Sequence, residues 1–147
     1  IDGSTEEFLQ AEKDLGFFQQ ETYTRFRESA ISTKLDLLQL LLDLKKREQS
    51  VVGYSLPARA MTLINYVGID HDLLPYVVEQ KSSLKLNKYI PGTRIPIVSN
   101  ECLEANQPDY LLVFAWHLKD EIIAHLRSRG LKGTCIIPLP ELTLIEL

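Results

Sequence analysis

The stretch VVGYSLPARAMTLINYVGID, residues 51–70, decides the fold of this chain. Two β-branched residues lead into Gly53, and Pro57 follows at the start of a helical pattern. A buried strand, a glycine turn and a helix, in this order, are how a nucleotide-binding turn begins. The second glycine of the usual fingerprint is absent, and Ser55 occupies its place. The stretch therefore predicts a parallel α/β unit, and it leaves open whether the turn holds a phosphate.

Further apolar segments downstream predict the rest of the sheet. They do not alternate with polar residues, which is typical of parallel strands covered by helices on both faces. A helical pattern over residues 116–129 separates two of them, whereas residues 81–96 are polar and irregular. The predicted strands are 51–54, 76–79, 110–115, 134–137 and, at an edge, 142–146. We expect a Rossmann-like α/β fold: a doubly wound parallel sheet of about four or five strands.

A helical arm precedes this sheet. From about residue 19 to residue 47 the pattern is helical, and two apolar stripes run beside each other, which predicts a helix buried on much of its circumference. The stripes are Ile31, Leu35, Leu38 and Leu42, and Leu37, Leu41 and Leu44. We expect residues 1–48 to form the arm and residues 49–147 the α/β domain.

The composition limits the classes of function. The 147 residues are 45% hydrophobic and 24% charged, an ordinary globular balance. A net charge of −4 argues against nucleic-acid binding, which usually needs a basic face. No apolar run reaches membrane-spanning length. Cys102 and Cys135 have no metal-binding spacing, so two reduced thiols in a cytoplasmic protein are expected.

The turn after the first strand is the first candidate site. Gly53, Ser55 and Ala58 stand where a dinucleotide fingerprint has glycines, so one position of three matches. A helix N-terminus attracts anions, and the Ser55 hydroxyl and the Arg59 guanidinium would add donors. With Tyr54, these residues are the predicted ligand contacts of the turn. The structural alternative is that Ser55 caps the helix and that Arg59 is solvated.

The segment KYIPGTRIPI, residues 88–97, is the second candidate. Its Pro-Gly pair favours a tight turn, and a long loop at the functional edge of a sheet often binds a ligand. We expect it to reach the carboxyl ends of the strands, where Tyr89, Thr93 and Arg94 would contact substrate. A packed structural turn, stiffened by its prolines, is the alternative.

The segment AWHLKDEI, residues 115–122, lies at a strand-to-helix junction and is the third candidate. Trp116 stacks on a ligand in one interpretation and is half-buried packing in the other. His117 has no carboxylate and nucleophile spaced for a triad, and the three histidines have no metal spacing. With no nucleophile elbow and no P-loop, the sequence predicts no catalytic and no metal-binding residue in this chain.

Three segments together resemble a known family: VVGYSLPARAMTLINYVGI, NKYIPGTRIPI and QPDYLLVFAWHLKDEII. They are similar to the C-terminal domain of sugar C-methyltransferases, which use S-adenosylmethionine to methylate nucleotide-linked deoxysugars. The resemblance covers about residues 22–140. In that family the domain is Rossmann-like and follows a zinc-binding domain and a methyl-donor-binding domain. Gly53, Tyr54 and Ala58 match the family's turn, whereas Ser55 and Arg59 replace glycine and lysine.

The resemblance implies a role for this chain. It implies a substrate-binding and structural domain that holds the nucleotide end of a nucleotide-linked sugar. No cofactor is expected in this chain, because it has no glycine-rich donor loop and no zinc cluster, and S-adenosylmethionine is expected in an upstream domain. The expected partners are the sugar substrate and upstream methyltransferase domains, with no nucleic acid and no membrane. The chain alone is expected to transfer no methyl group.

Two other functions remain open on the residues alone. The chain could be a non-catalytic Rossmann-like module that binds a nucleotide or docks a partner through the helical arm. It could also be a nucleotide-dependent oxidoreductase. The broken glycine pattern disfavours the oxidoreductase, and Glu79 is the nearest candidate for the ribose-binding acid of such an enzyme.

Overall fold

The computed structural model describes residues 3–147, which form two compact units, one ending at Ser32 and the other running from Thr33 to Leu147. Helix α1, Ser4–Asp14, lies in the first unit and buries none of its side chains. Helix α2, Gln20–Lys46, begins in the first unit and ends in the second. This boundary falls inside the helix, whereas the predicted arm extends to residue 48.

The second unit contains a six-stranded sheet in the order β3-β2-β1-β4-β5-β6. The five strands from β3 to β5 are parallel, and β6 pairs antiparallel with β5 at the edge. Their bounds are β1 Val51–Tyr54, β2 Val77–Glu79, β3 Ile97–Ser99, β4 Tyr110–Val113, β5 Thr134–Ile137 and β6 Thr143–Glu146. The Rossmann-like α/β prediction is confirmed. Strand β3 was missed, because its three residues directly follow the proline-rich segment.

Helices cover both faces of the sheet. Besides α1 and α2, the helices are α3 Ala60–Val67, α4 Cys102–Ala105 and α5 Lys119–Ser128. A 3₁₀ turn, Trp116–Leu118, leads into α5. Neighbouring residues of a strand point to opposite faces, so Val51 packs with α2 and α3, and Val52 packs with α4 and α5. Two separate apolar cores result, as the continuous apolar strands predicted.

Only one of the two predicted stripes of α2 is fully buried. Leu37, Leu41 and Leu44 are at most 3% exposed and belong to the core on the α3 side of the sheet. Leu35 and Leu42 of the other stripe are 57% and 38% exposed. The prediction of a helix buried on much of its circumference is therefore wrong. A sheet face offers a helix one contact surface, and this surface accommodates one stripe.

Both cysteines are free thiols. Cys135 lies at the centre of β5, where burial raises the pKa of its thiol to about 11. Burial also raises the pKa of Cys102, which is partly exposed in α4. Both thiols are therefore protonated at neutral pH. No helix within residues 3–147 is long and apolar enough to cross a lipid bilayer.

Candidate functional site

The carboxyl ends of the strands enclose a cavity of about 500 Å³. Ligands of open α/β sheets bind at this edge, where the strand order reverses. The reversal lies between β1 and β4, and residues that follow both strands line the cavity. Its lining is Tyr54, Ser55, Val78, Glu79, Gln80, Asn100, Ala115, Leu118, Glu121, Ile122, His125 and Arg129.

Gly53 is required for packing and not for contact with a phosphate. A Cβ atom at this position would lie 2.6 Å from Val77 Cγ2 and 2.8 Å from Phe114 Cε2. Both neighbours are completely buried, so neither can move away freely. The one fingerprint glycine in the chain therefore allows β1 to pack against β2 and Phe114.

Ser55 stands at a backbone position that favours glycine. Its φ is +61°, in the left-handed region where L-residues with a Cβ atom are strained. The structural alternative, in which Ser55 caps the helix, is contradicted by the structure, and its contact with a ligand stays a prediction. Helix α3 begins at Ala60, three residues later than Pro57, and no side chain caps it. Residues 55–59 instead form an irregular turn between strand and helix.

Glu79 closes this turn. Its Oε1 accepts a hydrogen bond of 2.6 Å from the backbone N–H of Leu56, a residue that is only 3% exposed. Lys85 donates to the same oxygen over 3.2 Å and also to the carbonyl of Leu56. The acid that would bind a ribose in a dinucleotide enzyme is thus occupied by the chain's own backbone. This geometry argues against the oxidoreductase alternative.

The end of the turn presents two backbone donors. Within the described chain, no hydrogen bond uses the N–H group of Ala58 or Arg59, whereas the next N–H, of Ala60, donates to Pro57. Ala58 and Arg59 are both exposed. These are the N–H groups that an anion at the start of α3 would accept from.

Arg59 lies against Trp116 and His117, which belong to the 3₁₀ turn that follows β4. The guanidinium carbon is 5.1 Å from the centroid of the Trp116 ring, a cation–π geometry. Arg59 Nη2 also donates to His117 Nδ1, so this imidazole nitrogen acts as an acceptor. Trp116 is half-buried and packs against both cores. The packing interpretation of Trp116 agrees with the structure, and stacking of its ring on a ligand stays a prediction.

The loop that contains Tyr89, Thr93 and Arg94 lies at the amino ends of the strands, opposite the cavity. Its turn accepts a hydrogen bond of 3.3 Å from the Asn65 side chain, near the C-terminal end of α3, and Val77 at the start of β2 donates to Pro96. The prediction that this loop reaches the carboxyl edge is wrong. Residues 80–96 connect two parallel strands, so the chain must return to the amino edge before β3 begins.

At that amino edge the loop lines a separate open cavity of about 680 Å³, together with His71 and Pro96. The predicted binding residues therefore lie in two separate regions of the sheet. Tyr54, Ser55, Ala58, Arg59 and Trp116 lie at the carboxyl edge, whereas Tyr89, Thr93 and Arg94 do not. Binding by the second group remains a prediction that concerns a different surface.

The electrostatics of the carboxyl-edge cavity are close to balanced. Arg129 reaches Glu104 with an Nη2–Oε1 distance of 2.5 Å, so its charge is compensated. Burial raises the pKa of the Tyr54 phenol, and the nearby Arg129 partly offsets this, so the phenol is neutral at physiological pH. Among residues 3–147 no three His, Cys, Asp or Glu side chains converge to hold a metal ion.

Sequence reasoning missed most of the polar lining of this cavity. Gln80 and Asn100 directly follow β2 and β3, whereas Glu121, His125 and Arg129 lie on α5. The position of Gln80 after a predicted strand was an available signal. Asn100 required β3, which was not predicted, and the α5 residues required knowledge of how that helix lies on the sheet.

The fold defines a Rossmann-like domain with a cavity at the switch in strand order. Comparison with known proteins then identifies the family: residues 2–140 match the C-methyltransferase C-terminal domain, and the chain belongs to this family. It is similar to the C-methyltransferase NovU of Streptomyces niveus, with 30% identity over 138 residues. The match covers 92% of this chain and 32% of that relative's length. The resemblance found in the three sequence segments is thereby confirmed.

Proposed function

We propose that this chain is the substrate-binding domain of an S-adenosylmethionine-dependent C-methyltransferase that acts on a nucleotide-linked sugar. The observation that carries the proposal is the exposed pair of N–H groups at Ala58 and Arg59, beside the Arg59 side chain and the cavity at the switch point. Backbone donors and a guanidinium together favour a phosphate group. Family membership supports methyl transfer by the whole protein.

The methyl donor binds elsewhere in this proposal. The first turn of the domain has Ser55 where a glycine-rich loop would continue, and Glu79 is held by Leu56 rather than free to bind a ribose. The donor domain, an upstream part of the same cytoplasmic enzyme, is the proposed partner of this chain. S-adenosylmethionine is then not a ligand of residues 3–147. Calorimetric binding of S-adenosylmethionine to this chain alone, at micromolar affinity, would contradict this assignment.

A nucleotide titration tests the substrate-binding role. Thymidine or uridine diphosphate is added to the isotope-labelled chain, and amide shifts are followed by nuclear magnetic resonance. We expect shifts at residues 54–59 with a dissociation constant of about 1 mM, because a helix N-terminus and one or two charge-assisted bonds give weak binding. Arg59→Ala should weaken binding at least about tenfold, since a hydrogen bond to a charged group contributes about 1.5–3 kcal/mol.

Arg94→Ala is the matched control for this experiment. It removes a guanidinium group of the same kind at the amino ends of the strands, away from Ala58 and Arg59. It should therefore leave nucleotide affinity unchanged. Equal weakening by both substitutions would indicate general charge attraction and not a site. If nucleotide at several times the expected dissociation constant shifts no resonance of residues 54–59, the substrate-binding role is wrong for this chain.

A further inference from the structure

Helix α1 lacks the burial that stabilises a short helix. It runs over 11 residues, Ser4–Asp14, and none of its side chains is buried. Isolated helices shorter than about 12–15 residues are marginal in water, and most helices in proteins are stabilised by the packing of an apolar face. Helix α1 therefore needs a contact that residues 3–147 do not provide.

The same part of the chain exposes large apolar side chains, most of them aromatic. Four of the five phenylalanines of the chain lie within residues 8–26, and Phe8 and Phe26 are each 74% exposed. Single exposed apolar residues are ordinary, whereas several within one short segment indicate an interaction surface. Aromatic residues are also enriched at the centres of protein interfaces. We define the arm surface by Phe8, Leu15, Phe17, Phe18, Tyr23 and Phe26.

Helix α2 carries one apolar face along its length. Eighteen residues are five turns of an α-helix, so Phe26 lies on the same face as Leu44. Tyr23 lies on the same face as Leu41 for the same reason. Leu41 and Leu44 are buried in the core. Tyr23 and Phe26 are mainly exposed, so the described residues cover this face only in the C-terminal half of the helix.

The charge of this segment indicates the kind of partner. Residues 1–32 hold seven acidic and three basic side chains, so their net charge of −4 equals that of the whole chain. A second copy of the chain would bring two acidic segments together, and like charges across an interface oppose binding. A partner with lysine and arginine around an apolar face would instead attract this segment.

We propose that the arm surface docks on the part of the same protein that precedes this domain, against an apolar face with a basic rim. The proposal rests on the proposed function, in which an upstream part of the enzyme is the partner. The matched family domain is a C-terminal domain, and the match spans 32% of the length of the C-methyltransferase NovU. The arm is the segment of this chain nearest to such an upstream part. A tethered partner has a high effective concentration, which strengthens docking.

Hydrogen exchange, read by mass spectrometry, compares this chain alone with the full-length protein that contains it. In the chain alone the amides of Ser4–Asp14 should exchange rapidly, because a short exposed helix opens readily. In the full-length protein we expect their exchange to be at least about tenfold slower, the protection that a docked aromatic anchor provides. Amides of the buried strand Tyr110–Val113 should exchange slowly in both and serve as the internal reference.

Phe8→Ala and Phe26→Ala in the full-length protein should each restore fast exchange of Ser4–Asp14. Alanine is the best helix former, so faster exchange in these variants reports lost docking and not lost helix propensity. Leu84→Ala is the matched control, because it removes an apolar side chain that is 90% exposed and lies outside the arm. It should leave the exchange unchanged.

Three results would overturn the docking proposal. One is equal exchange of Ser4–Asp14 in both proteins, and another is slow exchange that Phe8→Ala and Phe26→Ala leave intact. The third is a dimer of this chain alone, seen by sedimentation and dissociated by Phe26→Ala, which would assign the surface to a second copy. The nucleotide titration at residues 54–59 uses this chain alone, so it can succeed where docking fails, or fail where docking is found.

Discussion

The Glu79 carboxylate accepts a 2.6 Å hydrogen bond from the backbone N–H of Leu56, and this bond holds the turn after the first strand. In a dinucleotide-binding enzyme the acid at the end of β2 is free to accept from a ribose hydroxyl. Here it is used within the chain, and Lys85 adds a second donor. The same fold position has changed from ligand contact to structural support, which is consistent with a domain that does not bind a dinucleotide.

Glu79→Ala should lower the free energy of unfolding by about 1–3 kcal/mol. The substitution leaves the buried N–H of Leu56 without an acceptor, and that desolvated donor has this cost. Urea denaturation measures the change. Glu79→Gln is the control: its carboxamide oxygen still accepts, and only the partly exposed pair with Lys85 is lost, about 0–1 kcal/mol. An equal cost for both variants would mean that charge, not the hydrogen bond, holds the turn.

Ser55→Gly should leave stability unchanged or raise it by up to about 1.5 kcal/mol. The left-handed conformation costs a non-glycine residue about 1–2 kcal/mol, and the greater freedom of glycine in the unfolded chain offsets about 0.5–1 kcal/mol of the gain. Ser55→Ala keeps the strained backbone and removes only the hydroxyl. If thermal unfolding shows Ser55→Gly to be less stable than Ser55→Ala, the backbone strain is not the deciding factor at this residue.

Gly53→Ala should destabilise the fold by about 1–3 kcal/mol, the usual cost of overpacking. The added methyl group would overlap Val77 and Phe114 across the parallel strands. Gly3→Ala is the matched control, because nothing lies within 4 Å of a Cβ atom there, and its effect should stay within about 0.5 kcal/mol. Chemical denaturation compares the two. A neutral Gly53→Ala would contradict the packing role of this glycine.

Asp109 should make stability depend on pH in the acid range. Hydrogen bonds from the Ser50 hydroxyl and the Ser50 N–H hold the pKa of this carboxyl below its ordinary value of 3.8. The stabilisation is therefore complete above that value and is lost as pH falls through the lower folded pKa. The unfolding free energy of the wild type minus that of Asp109→Asn should be smaller at pH 2 than at pH 7. A difference that grows towards acid would contradict this sign.

The size of this pH effect is modest, since Asp109 is exposed to solvent. Both donors are neutral groups of Ser50, so the effect comes from hydrogen bonds that are in contact with water and not from an ion pair. The two hydrogen bonds join Ser50, just before β1, to Asp109, just before β4.

The residues themselves determined the fold class and the family. Val51 and Val52 face opposite cores, and this is why the strand reads as continuously apolar, the pattern that predicted a parallel sheet. The edge strand near the C-terminus was also predicted. The bounds of α3 were less accurate, because Pro57 is compatible with a first helical turn and equally with the irregular turn that the chain adopts.

Only the tertiary structure decided which candidate residues meet. Arg59 and Arg94 both follow a proline in a short motif, yet they lie at opposite edges of the sheet, because the connection after β2 must return to the amino edge before β3. Gln80 and Asn100 are twenty positions apart and become neighbours through the pairing of two three-residue strands. Local sequence specifies strand, turn and helix through side-chain size and backbone preference. The direction of each strand and the order of the strands decide which residues come together at the carboxyl ends. Both are properties of the whole sheet.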